Sequence, residues 1–285
     1  MTRRTAHVTV IGTDKSGVIA RICQFLFECG GNIEELDQHV THGLFTMHLE
    51  VSWPATGNTA AAMEAGLRAA GEELGMDVEF RLTDGLDTTT RIGLLVTKEA
   101  HAPRAVLEAS LDGTLDAEVA VMIGNKPALA DLAAQYDVPF VHVDDADKPA
   151  HEARMLELLR EHDVDLVVLA RYMRILSPNF VWRFPHRILN IHPSLLPAFP
   201  GAVPYRQALE RGVRVAGVTA HLVTVDLDQG PIVAQAAFDV HPDDAIQDVV
   251  GLGRTLESQV LVDGIRQWCD GLEVGWGRAV PRSDP

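Results

Sequence analysis

Asn190 and His192, two residues apart, are the side chains of this sequence most suited to chemistry. They lie in RILNIHPSLLPAFPG, residues 187–201, where the opening RIL predicts a strand and three prolines oppose a helix. A strand would place both side chains on one face. An amide N–H can stabilise an oxyanion, and an imidazole can carry a proton near neutral pH. The pair therefore combines a hydrogen-bond donor with a proton carrier.

The best candidate for a carboxylate that orients the imidazole or a water is Asp228. It lies in VTVDLDQGPIVAQ, residues 223–235, which predicts a strand, a turn at Gly230-Pro231 and a second strand. Spacing alone leaves a structural interpretation open, because a histidine before a proline often ends a strand and an asparagine often forms a turn. N-x-H-P is also less specific than a nucleophile elbow or a Walker loop.

ILNIHPSLLPAFPG followed by LDQGPI resembles the folate-dependent formyltransferase family, whose Asn, His and Asp would correspond to Asn190, His192 and Asp228. PAFPGAVPYRQALERGVRVAGVTAHLVTVDLDQGPIVAQ most resembles the hydrolytic branch, the formyltetrahydrofolate deformylases. The resemblance implies a hydrolase of a linear C–N bond that converts 10-formyltetrahydrofolate to formate and tetrahydrofolate. Asn190 would donate to the oxyanion, His192 would stabilise it and relay a proton, and Asp228 would orient His192 and the water.

The resemblance also implies a folate site built largely from main-chain groups. A pterin presents alternating donors and acceptors along a flat edge, which the N–H and C=O groups at a strand end can match. The implied substrate-binding residues are Arg174, Ile175, Leu176, Val225 and Asp226. The alternative for the segment from Arg171 is the end of a core strand with two solvated arginines.

By composition, His192, His221 and Asp228 could also form a metal site. The resemblance implies otherwise, because the family works without a metal and uses the histidine as an acid or base. His221 would then help to orient the site, or would be a structural strand residue. We expect neither a metal nor another cofactor, and the folate is the expected substrate.

The first 82 residues predict a separate unit. The pattern predicts a strand at His7–Ile11, a helix from Val18, strands at Ile33–His42 and Leu44–Trp53, a helix at Ala60–Leu74 and a strand at Val78–Leu82. This βαββαβ order is that of a ferredoxin-like fold. HVTVIGTDKSGVIARICQFLFECGGNIEELDQH resembles an ACT domain, a small amino-acid-sensing module.

The ACT resemblance implies an effector site at the loop after the first strand, at Asp14, Ser16 and Gly17. Main-chain N–H groups at the helix start could hold an effector carboxylate, and Asp14 could hold its ammonium group. Alternatively, Asp14 caps the helix and Gly17 relieves the turn. Glycine and methionine are the implied effectors. Because ACT domains usually pair across chains, we expect a homo-oligomer, with a tetramer favoured.

The polar segment DGLDTTT, residues 84–90, predicts a domain boundary, with an ACT-like regulatory domain at 1–86 and a formyltransferase-like catalytic domain at 87–285. Apolar strands then alternate with helices, which predicts an α/β, doubly wound and mostly parallel sheet. The predicted strands are 92–96, 119–123, 140–143, 165–170 and 232–240, and the predicted helices are 105–110, 129–136, 150–162 and 246–268. Gly251-x-Gly253 favours helix packing over a dinucleotide site. We expect the tail beyond Gly271 to fray.

Composition limits the possible partners. A net charge of −16 argues against nucleic acid, which requires clustered Lys and Arg. No run approaches the roughly 20 apolar residues that a membrane span needs, and the start of the chain does not resemble a signal peptide. The three cysteines show no CxxC spacing. We therefore expect a cytoplasmic protein.

Two other functions fit parts of the pattern. A formyltransferase would pass the group to an amine such as glycinamide ribonucleotide, but a phosphorylated acceptor favours a Gly-rich anion cradle, and residues 97–103, TKEAHAP, contain no glycine. A catalytically silent amino-acid sensor would not need Asn190, His192 and Asp228. Two positions depart from the family pattern: Gly124 replaces the expected Ser, and Val203 replaces Asn or Lys.

Overall fold

The computed structural model describes residues 3–83, 89–275 and 278–281, which form two compact units. The first contains the N-terminal residues together with Pro178–Pro185, and the second contains Thr89–Ser177 and the chain from His186. Most of the predicted linker, residues 84–88, lies outside the described residues. The boundary between residues 86 and 87 therefore stays a prediction.

The first unit has the predicted βαββαβ order. Its elements are β1 (Arg3–Thr13), α1 (Val18–Glu28), β2 (Asn32–Thr41), β3 (Leu44–Pro54), α2 (Ala60–Leu74) and β4 (Met76–Leu82). The four strands form an antiparallel sheet in the order β2-β3-β1-β4. Ile22 and Met63 of the two helices are fully buried with Val10 and Met47 of the sheet. The apolar periodicity of the helices thus forms the core of this unit.

The start of α1 differs from one of the two sequence interpretations. Its N-cap is Gly17, at φ 93°, and no side chain caps it within the described part of the chain. The main-chain N–H of Asp14 instead donates to the carbonyl of Gly43 at 2.9 Å. The proposal that Asp14 caps the helix is therefore wrong, while the left-handed turn at Gly17 is confirmed.

The second unit is an α/β sheet. In chain order, the remaining elements are β5 (Thr90–Val96), α3 (His101–Leu111), β6 (Ala117–Gly124), α4 (Ala130–Gln135), β7 (Phe140–His142), α5 (Lys148–Glu161), β8 (Leu166–Leu169), α6 (Pro178–Val181, within the first unit), β9 (Ile188–His192), α7 (Pro204–Glu210), β10 (Val215–Leu222), β11 (Ile232–Asp239), α8 (Ile246–Cys269), β12 (Leu272–Gly275) and β13 (Arg278–Pro281). The sheet order is β11-β10-β9-β8-β5-β6-β7. The five neighbouring strands β9, β8, β5, β6 and β7 are parallel to one another. Strands β10 and β11 extend the sheet beside β9, and each pairs with its neighbour in antiparallel orientation.

Helix α8 covers one face of this sheet. Leu189 and Ile191 of β9 belong to the same buried cluster as Leu261 and Ile265 of α8. A Cβ at Gly264 would lie 2.8 Å from the Cβ of Ala220, so the glycine permits close helix–sheet packing. Because side chains alternate along a strand, Asn190 and His192 point to the opposite face.

Two sequence expectations for the second unit were wrong. Residues 223–227 are a loop, because the chain folds back at Gly230, where a Cβ would lie 1.8 Å from the carbonyl oxygen of Leu222. The tail does not simply fray, since β12 and β13 form a hairpin whose Val274 and Ala279 pack on the core; residues 276–277 and 282–285 lie outside the described residues. Helix α7 was not predicted.

No helix among the described residues is long and apolar enough to cross a membrane.

The two departures from the family pattern occupy special positions. A Cβ at Gly124 would lie 2.7 Å from both the Lys126 carbonyl oxygen and the Phe140 ring, so no larger residue fits without a local shift. Val203 precedes α7 in the left-handed region, at φ 50° and ψ 47°, with 62% of its surface exposed. A β-branched residue is strained there, whereas asparagine tolerates this region.

We expect Val203→Asn to raise the free energy of unfolding by about 1 kcal/mol, because it relieves left-handed strain without removing buried contacts. Urea denaturation measures the change. Val215→Asn is the matched control, since Val215 is exposed but lies in a strand, where asparagine is disfavoured. A Val203→Asn protein that is less stable than the wild type would contradict this interpretation.

Candidate active site

Two neighbouring strands bring four polar side chains to the sheet face opposite α8. On β9, Asn190 and His192 lie two residues apart, as the sequence predicted. The antiparallel register places His221 of β10 beside Asn190, and Thr219 beside His192. His192, Thr219 and His221 are all buried, with 5%, 0% and 2% of their surface exposed. This face of the sheet is therefore an unusual polar patch in a core of aliphatic side chains.

The imidazole of His192 lies between two acceptors. Its Nδ1 is 3.5 Å from Oδ2 of Asp228, and its Nε2 is 3.1 Å from the carbonyl oxygen of Phe199. A neutral imidazole has one N–H and can donate to only one of them, whereas the imidazolium can donate to both. Both ring nitrogens thus have an acceptor within reach.

Asp228 reaches this face because residues 223–231 fold back over it. Asp228 itself has φ 55°, a left-handed conformation that aspartate tolerates better than most residues. Its Oδ2 accepts a 2.8 Å hydrogen bond from the main-chain N–H of Gly201, and its Oδ1 is 3.8 Å from Nε2 of His221. Only 7% of the side chain is exposed. The carboxylate is thus fixed against His192.

His221 orients the amide of Asn190. Burial lowers the pKa of His221, so the ring is neutral near pH 7. Its Nδ1 is 3.0 Å from the carbonyl oxygen of Leu222, which places the single proton on Nδ1. Its Nε2, 3.1 Å from Nδ2 of Asn190, then accepts from the amide. One amide N–H is used in this way, and the second can donate to a ligand.

Thr219 and Gln235 hold the proline-rich loop that supplies the contacts to His192 and Asp228. Thr219 Oγ1 donates to the carbonyl of Ser194 at 2.7 Å and accepts from the N–H of Leu196 at 3.0 Å. Gln235 Nε2 donates to Thr219 Oγ1 at 2.8 Å and to the carbonyl of Leu196 at 3.0 Å. Sequence reasoning missed both residues. Their signal was a polar residue in each of two apolar strands.

Buried polar groups also fix the predicted folate-binding segment, residues 171–177. Glu152, 6% exposed, accepts a 2.8 Å bond from the main-chain N–H of Ser177. Tyr172 Oη is 2.6 Å from Nε2 of His151, and burial raises the pKa of Tyr172, which stays a neutral phenol. Glu152 and His151 lie on α5 and were not predicted from the sequence.

The structure places the five predicted substrate-binding residues on two loops. After β8, Arg174 forms an ion pair with Asp145 at 3.4 Å, Ile175 is 65% exposed and Leu176 is buried. After β10, Val225 is 39% exposed, and the carbonyl of Asp226 accepts from Thr224 Oγ1 at 3.1 Å. Each loop thus exposes an apolar side chain that the core does not use, as an aromatic ligand requires.

In the first unit, the predicted effector residues border an open depression of about 350 Å³. Its lining consists of Asp14, Lys15, Ser16, Gly17, Val18, Ile19, Ala20, Gln38 and Phe45. The structure therefore brings Asp14, Ser16 and Gly17 to one cavity. Gln38 of β2 also lines it, a residue that sequence reasoning missed. No group of three or more metal-ligating side chains occurs within the described residues.

The chain matches two family models in the predicted order. Residues 4–81 match the ACT domain, and residues 90–265 match the formyl transferase model. The formyltetrahydrofolate deformylase of Bacillus subtilis is 38% identical over 259 residues, which is 89% of this chain and 85% of that protein. That of Escherichia coli strain K12 is 38% identical over 258 residues, 87% of each chain.

The chain belongs to the formyltetrahydrofolate deformylase family. A solved structure from this family, of Pseudomonas syringae, matches with a TM-score of 0.67 and 33% identity, over 98% of this chain and 95% of that one. The crystal structure of glycinamide ribonucleotide transformylase 1 from Symbiobacterium toebii matches with a TM-score of 0.66 and 36% identity, over 69% of this chain and 98% of that one. The α/β fold class and the two-domain composition are thereby confirmed.

The lowered pKa of His221 predicts a pH dependence of stability. An unfolded histidine has a pKa of about 6.5, so the unfolded chain binds more protons than the folded chain as the pH falls from there to the folded pKa. The stabilisation by neutral His221 is complete above the unfolded pKa, and it is lost as the pH falls from the unfolded pKa through the lower folded pKa. His221→Gln cannot titrate, and its amide oxygen can accept the hydrogen bond from Asn190 in place of Nε2.

Between about pH 7.5 and 5.5, the free energy of unfolding should fall more for the wild type than for His221→Gln. Urea denaturation at both pH values tests this expectation. His241→Gln is the control, since His241 is exposed. Equal losses in the wild type and in His221→Gln would show that His221 is not held neutral.

Proposed function

We propose that this protein hydrolyses 10-formyltetrahydrofolate to formate and tetrahydrofolate at Asn190, His192 and Asp228. The observation that carries the proposal is the His192 ring, whose two nitrogens face a carboxylate and a carbonyl in a chain of the deformylase family. The oriented amide of Asn190 lies two residues earlier on the same strand face.

The residues suit the charges that develop in this reaction. The water oxygen bonds to the formyl carbon, the carbonyl oxygen becomes an oxyanion, and the bond from carbon to N10 then breaks. The free N–H of Asn190 and the imidazolium of His192 stabilise the oxyanion. His192 delivers a proton to the departing N10 and is then reprotonated by the proton that the attacking water loses, and Asp228 stabilises the imidazolium and orients the water.

The folate lies along the two loops that expose apolar side chains. Main-chain groups of Arg174, Ile175 and Leu176 bind the edge of the pterin, and the loop of Val225 and Asp226 completes its pocket. The short contacts that hold residues 171–177 support this role, because a main-chain template for a flat ring must be rigid.

A single assay separates hydrolysis from its rivals. Purified protein is incubated with 10-formyltetrahydrofolate, with and without glycinamide ribonucleotide, and formate and tetrahydrofolate are followed. Hydrolysis predicts equal amounts of both products in either case. Formylated amine in place of formate would identify a transferase, and the absence of turnover would leave an amino-acid-binding protein.

We expect Asp228→Asn to bind folate but to lose turnover by about 10²–10⁴-fold, because the amide keeps the size of the carboxylate but cannot stabilise an imidazolium. Steady-state kinetics and fluorescence titration with tetrahydrofolate measure the two effects. Asp243→Asn, at an exposed aspartate, is the control and should behave like the wild type. Turnover of Asp228→Asn within a few-fold of the wild type would refute the assignment.

We further propose that amino acids regulate the enzyme through the cavity beside Gly17. Asp14 does not cap α1, so its carboxylate is available for an effector ammonium group, and the uncapped N-terminus of α1 suits a carboxylate. Gln38 can donate to the same ligand. An effector acts only through different affinities for two states, which pairing of these domains across a homo-oligomer, favoured as a tetramer, would provide.

The rate of hydrolysis should respond to millimolar glycine or methionine, and Gly17→Val should lose this response, because a β-branched residue is strained at φ 93° in the ligand loop. Gly30→Val is the matched control: Gly30 has φ 72° at the other end of α1, and neither glycine has a described atom within 4 Å of an added Cβ. Gly30→Val should retain the response. If neither amino acid changes the rate or the melting temperature of the wild type, the regulatory proposal is wrong.

A further inference from the structure

A buried ionic cluster in the second unit has no role in the proposed hydrolysis. Glu257, in the middle of α8, is 1% exposed. Its Oε2 is 2.9 Å from Nε2 of His101 and 3.5 Å from Nε of Arg171, and its Oε1 accepts a 3.0 Å bond from Tyr205. Burial of a carboxylate is costly unless partners offset it. Three side chains, those of His101, Arg171 and Tyr205, therefore surround the carboxylate of Glu257.

The cluster lies at the ligand-binding edge of the sheet. His101 begins the helix that follows β5, and Arg171 follows β8 by two residues. Because Leu169 of β8 pairs with Asn190 of β9, Arg171 comes at the same level along its chain as His192 on the adjacent strand. Doubly wound sheets bind their ligands beyond these carboxyl ends. The cluster thus lies at the end of the sheet where β9 carries His192, on the side that α8 covers.

Further contacts close this edge. Glu99, in the loop after β5, forms a 2.8 Å ion pair with Arg254, one turn before Glu257 on α8. The Tyr205 ring packs directly against α8, since a Cβ at Gly253 would lie 2.1 Å from its hydroxyl oxygen. The loop after β5 and the first residue of α3 are therefore each tied to α8, and an aromatic ring fills the space beside these contacts.

Stability alone does not account for Arg171. Its Nε is buried and forms no hydrogen bond within the described residues, and its φ is 60°, which is strained for a non-glycine residue. Well-packed apolar residues are often at least as stable as a buried ion pair. Backbone strain beside a ligand-binding edge is a typical mark of a functional constraint.

We propose that Glu257, His101, Arg171 and Tyr205 fill the position from which a second substrate, an amine acceptor, would approach the formyl group. This inference rests on the proposed hydrolysis. In transfer, the amine nitrogen bonds to the formyl carbon, the bond to N10 breaks, and a proton passes from the amine to N10. Hydrolysis differs only in that water is the nucleophile. Side chains that exclude amines from the formyl group therefore determine whether the formyl group is hydrolysed or transferred.

The test measures how the formyl group partitions between water and a small amine. Hydroxylamine is added to 10-formyltetrahydrofolate that is labelled in the formyl group, and formate and formhydroxamate are quantified after subtraction of the reaction without enzyme. The wild type should release formate almost exclusively. Arg171→Gly with Glu257→Gln should raise the ratio of formhydroxamate to formate by about tenfold or more, because the opened space admits the amine.

The variant is chosen to fold. Glycine accepts φ 60° without strain, and the glutamine avoids a buried carboxylate without its cation. His101→Ala opens the cluster from the side of β5 and should also raise the ratio. Arg266→Gln, at an exposed residue paired with Asp263 on the same helix, is the control and should leave the ratio unchanged. The ratio does not depend on the amount of folded enzyme, so a purely structural role would not alter it.

The outcomes separate this inference from the proposed function. If the wild type releases no formate, the proposed hydrolysis is wrong and the inference falls with it. If the wild type releases formate but both opened variants keep its product ratio, only the inference is wrong. A wild type that already forms formhydroxamate as readily as formate would overturn the inference as well.

Discussion

One imidazole ring between a carboxylate and a main-chain carbonyl sets the requirements for the rest of the second unit. His192 can donate to both Asp228 and Phe199 only when doubly protonated, so two loops must hold two acceptors at fixed positions. Thr219 and Gln235 hold the proline-rich loop by hydrogen bonds to the main chain of Ser194 and Leu196. The polar face of β9 and β10 is thus organised around one proton.

Helix α8 supports this arrangement from the other side of the sheet. Gly264 allows it to approach Ala220 and Leu189, whose neighbours His221 and Asn190 face the site. About three turns earlier, Gly253 allows Tyr205 to pack against it, and Glu257 projects from the same helix. The pair Gly251-x-Gly253 therefore reflects helix packing at Gly253, as the sequence analysis favoured.

Periodic patterns predicted most of the fold, and local geometry limited the rest. The period of two placed Asn190 and His192 on one face, and apolar runs predicted the parallel strands. The pattern failed at residues 223–227, where alternating apolar residues form a loop because Gly230 lets the chain fold back on Leu222. It could not reveal that His221 orients Asn190, since that contact depends on strand register. The pattern also could not indicate a role for Glu257, because its partners come from three segments that are distant in the sequence.

The contact between Gly124 and Phe140 constrains how this sequence can change. A side chain at position 124 meets the Phe140 ring and the Lys126 carbonyl at 2.7 Å, so the serine expected from the sequence resemblance does not fit the present packing. A smaller residue at position 140 and a small shift of the chain at Lys126 would have to accompany it. A serine at position 124 is therefore compatible with this packing only after position 140 has changed.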